Sequence, residues 1–259
     1  MNILFLSILQ SITEFLPVSS SGHLIVFPAL LGGSKQGLAI DIGLHIGTLL
    51  AVCLYFISDL WRFFTGLWRG GDARRTVFLL VVATLPILII GFFCNHYVED
   101  VRYPKIICVT LILFGVLLWI SDKTSKSDKT LKDLSFLNAF MIGFFQCLAL
   151  IPGVSRSGIT MTAARFCRLN RSEAAKFSML LSIPVISAAG AWLLFSLFQS
   201  RQTEILDETF WESILYSFLG GIFVIRFLMQ FVKKHSFVGF MIYRICLGLF
   251  VFFYLYSFK

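Results

Sequence analysis

Gln10 and Glu14 stand four residues apart in an apolar stretch, so on a helix they share one face. A carboxylate this deep in apolar sequence is costly and marks a functional position by default. Pro17 disfavours helical geometry at Leu16, and the helix is expected to end there. Ser19, Ser20 and Ser21 then offer capping hydroxyls to a second helix, and Gly22 permits close backbone approach. The free N–H groups and positive dipole end of that helix, set beside Glu14, can hold an anion such as phosphate. His23 lies three residues after Ser20 and on the same face.

The segment is written twice. Gln10 to Gly22 returns as Gln146 to Gly158, with Val18 matching Val154, and Ser19, Ser21 and Gly22 matching Ser155, Ser157 and Gly158. Two positions differ in a way that matters: Leu150 replaces Glu14, and Arg156 replaces Ser20. One copy carries the acid and hydroxyls, while the other brings a guanidinium able to grip phosphate oxygens bidentately. Asp41, at the start of the next apolar span, is a further acidic candidate. Each feature also has a plainer reading: Glu14 as an interfacial carboxylate, the serines as caps only, His23 as a structural histidine, Asp41 as an ordinary first-turn acid.

The elements that must position these residues are membrane helices. A chain of 259 residues that is 58% hydrophobic and 14% charged, with mean hydropathy +0.86, has too much apolar surface for one soluble core. The apolar stretches lack alternation of period two, which favours a helical bundle over a barrel. The net charge of +8 falls in short connections, as positive-inside sorting requires, so nucleic acid is not implied. Cys53, Cys94, Cys108, Cys147, Cys167 and Cys246 are scattered without a CxxC pair, against a disulfide framework or zinc site. The N-terminus lacks a basic leader and cleavage site and reads as mature sequence.

The expected fold is an all-α integral membrane protein, one domain over residues 1–259, built as an inverted-topology repeat of residues 1–121 and 136–259. Each half is a re-entrant helical hairpin plus three transmembrane helices. The first hairpin joins Asn2 to Phe15, a loop at Leu16 to Ser20, and a helix to about Leu31; the second covers Phe136 to Phe166. The full spans are Ala39 to Ile57, Val77 to Cys94 and Ile106 to Ser121, then Ala174 to Phe198, Phe210 to Gln230 and Phe237 to Ser257. Connections with Arg62, Arg69, Arg74 and Arg75, with Lys123, Lys126, Lys129 and Lys132, with Arg165, Arg168 and Arg171, and with Lys233 and Lys234 face the cytoplasm. Those with Glu99 and Asp100, and with Glu204, Asp207 and Glu208, face outward. The hairpins then enter from opposite sides and their tips meet near the midplane.

No P-loop, HExxH or Cys-x5-Arg loop is present. Ser21-Gly22-His23 is similar to an element of the type 2 phosphatidic acid phosphatases, but that family needs histidine at position 162, where this chain has Thr162. The run from Gln10 through Glu14, Pro17 and the serines to His23, followed by Pro152-Gly153-Val154-Ser155-Arg156-Ser157-Gly158-Ile159-Thr160, resembles both signatures of the bacterial undecaprenyl-diphosphate phosphatases of the BacA/UppP type. The likeness extends through Asp41 to Thr48 and the closing Tyr243-Arg244.

The resemblance implies an enzyme that hydrolyses undecaprenyl diphosphate to undecaprenyl phosphate and inorganic phosphate, recycling the carrier for peptidoglycan synthesis and conferring bacitracin resistance when abundant. Glu14, Ser20, His23 and Arg156 are the implied catalytic residues, and Ser19, Ser21, Gly22, Ser155, Ser157 and Thr160 the implied substrate-binding ones. A divalent cation, Mg²⁺ or Ca²⁺, is implied at Glu14 and Gln10, although Gln10 stands where many members carry glutamate. The implied setting is the bacterial cytoplasmic (inner) membrane, with bacitracin competing for the lipid, and the entry of the first hairpin from the outer side favours a site open to that face. A polyprenyl-phosphate flippase or transporter on the same repeat is one alternative and a non-catalytic lipid-binding or bacitracin-shielding membrane protein another, and either serine or water can be the nucleophile.

Overall fold

The structure is a computed structural model describing residues 2–30, 37–98, 103–199 and 207–257, and among these it contains eleven α-helices and, of β structure, a single bridge between Lys129 and Leu169. Helix α1 (Ile3–Phe15) begins where the Asn2 side chain accepts from the Leu4 N–H at 2.9 Å. It stops at Leu16, whose extended backbone is the conformation a following proline imposes. Its faces are reversed relative to a soluble helix: Leu4, Phe5, Ile8 and Ile12 are exposed, whereas Ser7, Gln10, Ser11 and Glu14 are buried. Lipid around the apolar face and protein around the polar one make that arrangement stable. Elsewhere on the surface, Phe223 is 81% exposed, which only an apolar medium favours.

After α2 (Ser20–Leu30) comes α3 (Leu38–Tyr55), which bends by 73° into α4 (Ile57–Arg69). The stretch bearing Arg62 and Arg69, expected as a connection, is therefore helical. Its apolar residues recur at helical spacing on one side and its arginines on the other, enough to drive an amphipathic helix. Next are α5 (Gly71–Val98), α6 (Pro104–Thr124), α7 (Phe136–Gln146), a 3₁₀ turn at Cys147–Leu150, and α8 (Arg156–Phe166). The chain continues through α9 (Arg171–Gln199) and α10 (Glu208–Lys234) to α11 (Val238–Ser257).

Four stretches are long and apolar enough to cross a membrane: Gly71–Cys94, Lys105–Thr124, Arg171–Phe195 and Glu208–Lys234. The bent pair α3 and α4 makes a fifth if taken as one span, and Val238–Tyr254 of α11 is a shorter apolar helix. The chain is a multi-pass helical membrane protein. Its acidic connections with Glu99, Asp100 and Glu204 lie outside the described residues.

Packing brings the two hairpins together. Helix α1 lies on α10 and α7 on α5, while α6 pairs with α11 and α3 with both α9 and α10. The α3–α10 contact is close because Gly43 and Gly47 oppose Ser213 and Ser217: a Cβ at either glycine would come within 2.0 Å of a serine Oγ. Phe15 and Val18 of the first hairpin share one buried cluster with Met161 and Ala164 of the second. At the basic end, Arg165 is not a loop charge as expected but a buried one. It reaches Asp122 Oδ1 at 3.1 Å, and Asp122 also accepts from Arg171 at 2.7 Å and the Phe237 N–H at 3.1 Å. That carboxylate ties the ends of α6, α8, α9 and α11.

Candidate active site

The two broken hairpins have the same local geometry. Ser19 and Ser155 both hold positive φ, +82° and +71°, in a region costly for residues other than glycine. Each then caps the helix after it: Ser19 Oγ accepts from the Gly22 N–H at 3.2 Å, and Ser155 Oγ from the Gly158 N–H at 3.1 Å. In each loop the next-but-one serine stands beside the cap, Ser21 Oγ 3.3 Å from Ser19 Oγ and Ser157 Oγ 3.2 Å from Ser155 Oγ. The loops also touch one another. Ser157 Oγ donates to the Leu16 carbonyl at 3.0 Å, and Ser21 Oγ accepts from the Gly153 N–H at 3.4 Å.

Between the tips sits Glu14, buried and fully engaged. Its Oε1 accepts from Arg156 Nη2 at 2.7 Å, and its Oε2 from Ser20 Oγ at 3.0 Å and Gln10 Nε2 at 3.2 Å. The expected carboxylate, hydroxyl and guanidinium thus meet at one point, although they come from positions as far apart as 14 and 156. Both charges are largely removed from solvent, at 7% and 12% side-chain exposure. Arg156 is steadied from behind, donating Nη1 to the Ser178 carbonyl at 3.4 Å. Thr160 braces the same helix, with its hydroxyl 2.7 Å from Ser178 Oγ.

His23 is oriented by two contacts. The Ser19 carbonyl, 2.6 Å from Nδ1, can only accept, so Nδ1 carries a proton. In the neutral ring Nε2 then accepts from the Tyr243 hydroxyl at 2.6 Å, and the two rings lie nearly parallel. The proton acceptor in contact with Ser20 is accordingly Glu14, and His23 joins the Ser19 loop to α11.

Three residues enter the site that sequence reasoning did not place there. His45 Nε2 lies 3.4 Å from Gln10 Nε2, while its Nδ1 donates to the Asp41 carbonyl at 2.8 Å. Asp41 itself sits in the first turn of α3. Tyr243 is the partner of His23, and its neighbour Arg244 is completely buried. The Arg244 guanidinium donates to the carbonyls of Pro17 in the first loop, Gly153 and Val154 in the second, and Thr110 and Leu111 of α6, all at 3.0 to 3.3 Å. An arginine inside an apolar helix was the available signal.

A hard cation takes oxygen ligands, and Mg²⁺ is commonly held by one or two carboxylates with substrate phosphates completing its shell. Gln10 Oε1 is buried without a hydrogen-bond partner, beside the Glu14 carboxylate that its Nε2 contacts. The donor set of a carboxylate and an amide oxygen fits such an ion with phosphate oxygens as co-ligands, provided Arg156 leaves Glu14 and the Gln10 amide, whose Nε2 now faces Glu14, turns its oxygen inward. Among the described residues, no cluster of three His, Cys, Asp or Glu side chains could hold a metal.

Comparison with known proteins decides the family. Residues 3–250 match the family described as bacitracin resistance protein BacA. The chain belongs to that family. It is 43% identical over 247 residues to a protein of Desulforudis audaxviator named undecaprenyl-diphosphatase, covering 94% of this chain and 93% of that protein. Proteins with the same name from Alteromonas mediterranea and Roseobacter denitrificans are 40% and 39% identical, over 95% and 99% of this chain and 95% and 98% of theirs. In this BacA-family chain the two signature segments are the two hairpin tips that meet at Glu14.

Proposed function

We propose that this chain is an undecaprenyl-diphosphate phosphatase, hydrolysing the terminal phosphoanhydride to give undecaprenyl phosphate and inorganic phosphate. Membership of the BacA family supports the reaction, as do curated relatives of nearly equal length named for it. The observation that carries the site assignment is the three-way contact of Ser20 and Arg156 on Glu14.

The chemistry follows from that contact. An arriving diphosphate competes with Glu14 for the Arg156 guanidinium, whose planar fork matches phosphate oxygens as well as it matches carboxylate. Once the guanidinium turns to phosphate, Glu14 loses its cationic partner and becomes the stronger base. Ser20 Oγ already donates to it at 3.0 Å, within proton-transfer reach. Ser20 attacks the terminal phosphorus as its proton passes to Glu14. The bridging P–O bond breaks, undecaprenyl phosphate leaves, and water then hydrolyses the phosphoserine. A water held by Glu14 can replace Ser20 in a single displacement that uses the same base.

Arg156 and the amide ends of the two capped helices neutralise the charge on the equatorial oxygens. Serines 19, 21, 155 and 157 shape the loops that present those amides. Mg²⁺ or Ca²⁺ held by Gln10 and one oxygen of Glu14 would add neutralisation of the diphosphate and leave the other Glu14 oxygen to serve as base.

The chain acts in the bacterial cytoplasmic membrane, with the site open to the outer face, and bacitracin competes for the same lipid. The matching hairpins, and the exchange of α1 on α10 for α7 on α5 when the halves are interchanged, support an inverted repeat of residues 1–121 and 136–259. No observation favours the flippase alternative. The test is release of inorganic phosphate from a polyprenyl diphosphate in detergent, with and without EDTA. Stoichiometric phosphate that EDTA suppresses is expected, and lipid left intact by the purified protein would refute the reading.

A further inference from the structure

Helix α4 contributes no side chain to the active site, yet among the described helices its faces differ most in polarity. Ile57, Trp61, Phe64 and Trp68 line one face and are 56%, 67%, 55% and 72% exposed. Their rings form a continuous ladder, Trp61 to Phe64 at 5.9 Å and Phe64 to Trp68 at 4.9 Å. The opposite side faces protein: Gly66 is buried against Ala73 of α5, and Asp59 accepts from Lys176 of α9 at 2.7 Å. Exposed Arg62 and Arg69 lie between these faces, and exposed Arg74 follows in the first turn of α5. The acids of this region are already matched, Asp59 by Lys176 and, 4.0 Å away, by Arg62, and Asp72 by Lys132 at 2.8 Å. Arg75 is turned inward, donating to the carbonyls of Leu131, Lys132 and Leu134.

A helix that leaves a membrane-facing helix at 73°, with indoles on one face and exposed guanidinium groups at its edge, has the form of an interfacial helix. Indoles favour the headgroup level, and guanidinium pairs bidentately with phosphate. Excess positive charge at the same level selects anionic over zwitterionic lipid. We propose that α4 and the turn into α5 form a docking site for anionic phospholipid headgroups, with Trp61, Phe64 and Trp68 inserted among the acyl chains and Arg62, Arg69 and Arg74 on the phosphates. The proposal rests on the membrane setting and not on the phosphatase reading.

The test uses the full chain with Trp119, Trp192 and Trp211 changed to Phe, which leaves Trp61 and Trp68 as the only tryptophans. It is reconstituted in phosphatidylcholine nanodiscs containing equal fractions of brominated phosphatidylglycerol or brominated phosphatidylcholine. Brominated phosphatidylglycerol should quench the two indoles at least about twofold more strongly at low salt, and molar salt should remove the difference by screening. Arg62→Gln with Arg69→Gln and Arg74→Gln should remove it as well. Equal quenching by both lipids at low salt would overturn the headgroup assignment. No quenching by either would show that water or another protein covers the face. The salt comparison needs no further mutation, so poor folding of the arginine variant leaves the proposal testable.

Discussion

At the scale of single residues, the Glu14–Arg156 pair decides how variants behave. Each charge is the other's principal compensation in a poorly solvated place, and removing one partner of such a pair costs about 3–5 kcal/mol. Glu14→Gln should therefore lower phosphate release by at least about a hundredfold, the usual scale for losing a general base, and also lower the thermal midpoint in detergent. A non-hydrolysable lipid diphosphate should stabilise this variant more than the parent, because it returns an anion to Arg156. Near-normal turnover, or an unchanged midpoint, would contradict that account. Arg156→Lys keeps the charge but loses the planar fork, and should cost about a hundredfold in kcat/KM, equivalent to about 3 kcal/mol of transition-state contacts. Ser20→Ala should abolish turnover with ligand binding retained; if turnover survives, water is the nucleophile and Glu14 its base.

At the scale of elements, the hairpin tips depend on α11. Arg244 reaches five carbonyls on α6 and both loops, whereas a lysine ammonium is a point donor that cannot span them. Arg244→Lys should reduce both the thermal midpoint and kcat, since Ser20 and Arg156 would no longer be held in register. Measurement of phosphate release beside thermal unfolding separates this from a purely chemical defect, because Ser20→Ala should leave the midpoint in place. Helix α7 depends on α5 in a different way. A Cβ at Gly143 would stand 2.2 Å from the Ala83 carbonyl oxygen, and backbone cannot yield as a side chain can. Gly143→Ala should destabilise the protein by about 1–3 kcal/mol or more, read as a lower unfolding temperature in detergent.

At the scale of the whole molecule, orientation follows charge. Cysteines introduced at Arg69 to Arg75 and at Lys123 to Lys132 should label from the cytoplasm, and those near Glu99 and Glu204 from outside. Labelling of both sets from one side would break the inverted arrangement and with it the entry of the hairpins from opposite faces.

Much of this was legible along the chain because it is local. Pro17 ended α1 at Phe15, the apolar runs marked membrane helices, and the duplicated Pro, Ser and Gly motif located both broken segments. The same motif marked Glu14, Ser20 and Arg156, since chemistry-bearing side chains stand out in lipid-facing sequence. Other features depended on what lies opposite. Whether Arg165 was a topogenic charge or a buried partner of Asp122 turned on a contact between positions 43 apart. Helix α4 read as a basic connection because its arginines outweighed the helical spacing of Ile57, Trp61, Phe64 and Trp68, and only the bend out of α3 shows that this face is exposed. The orientation of His23 came from Tyr243, which is 220 positions away. Sequence by itself determined the broken helices, the membrane setting and the types of residue at the site. Only the tertiary structure decided which of them meet, because a helix constrains neighbours within a turn or two, whereas the Glu14–Arg156 contact requires two separate hairpins to be packed tip to tip.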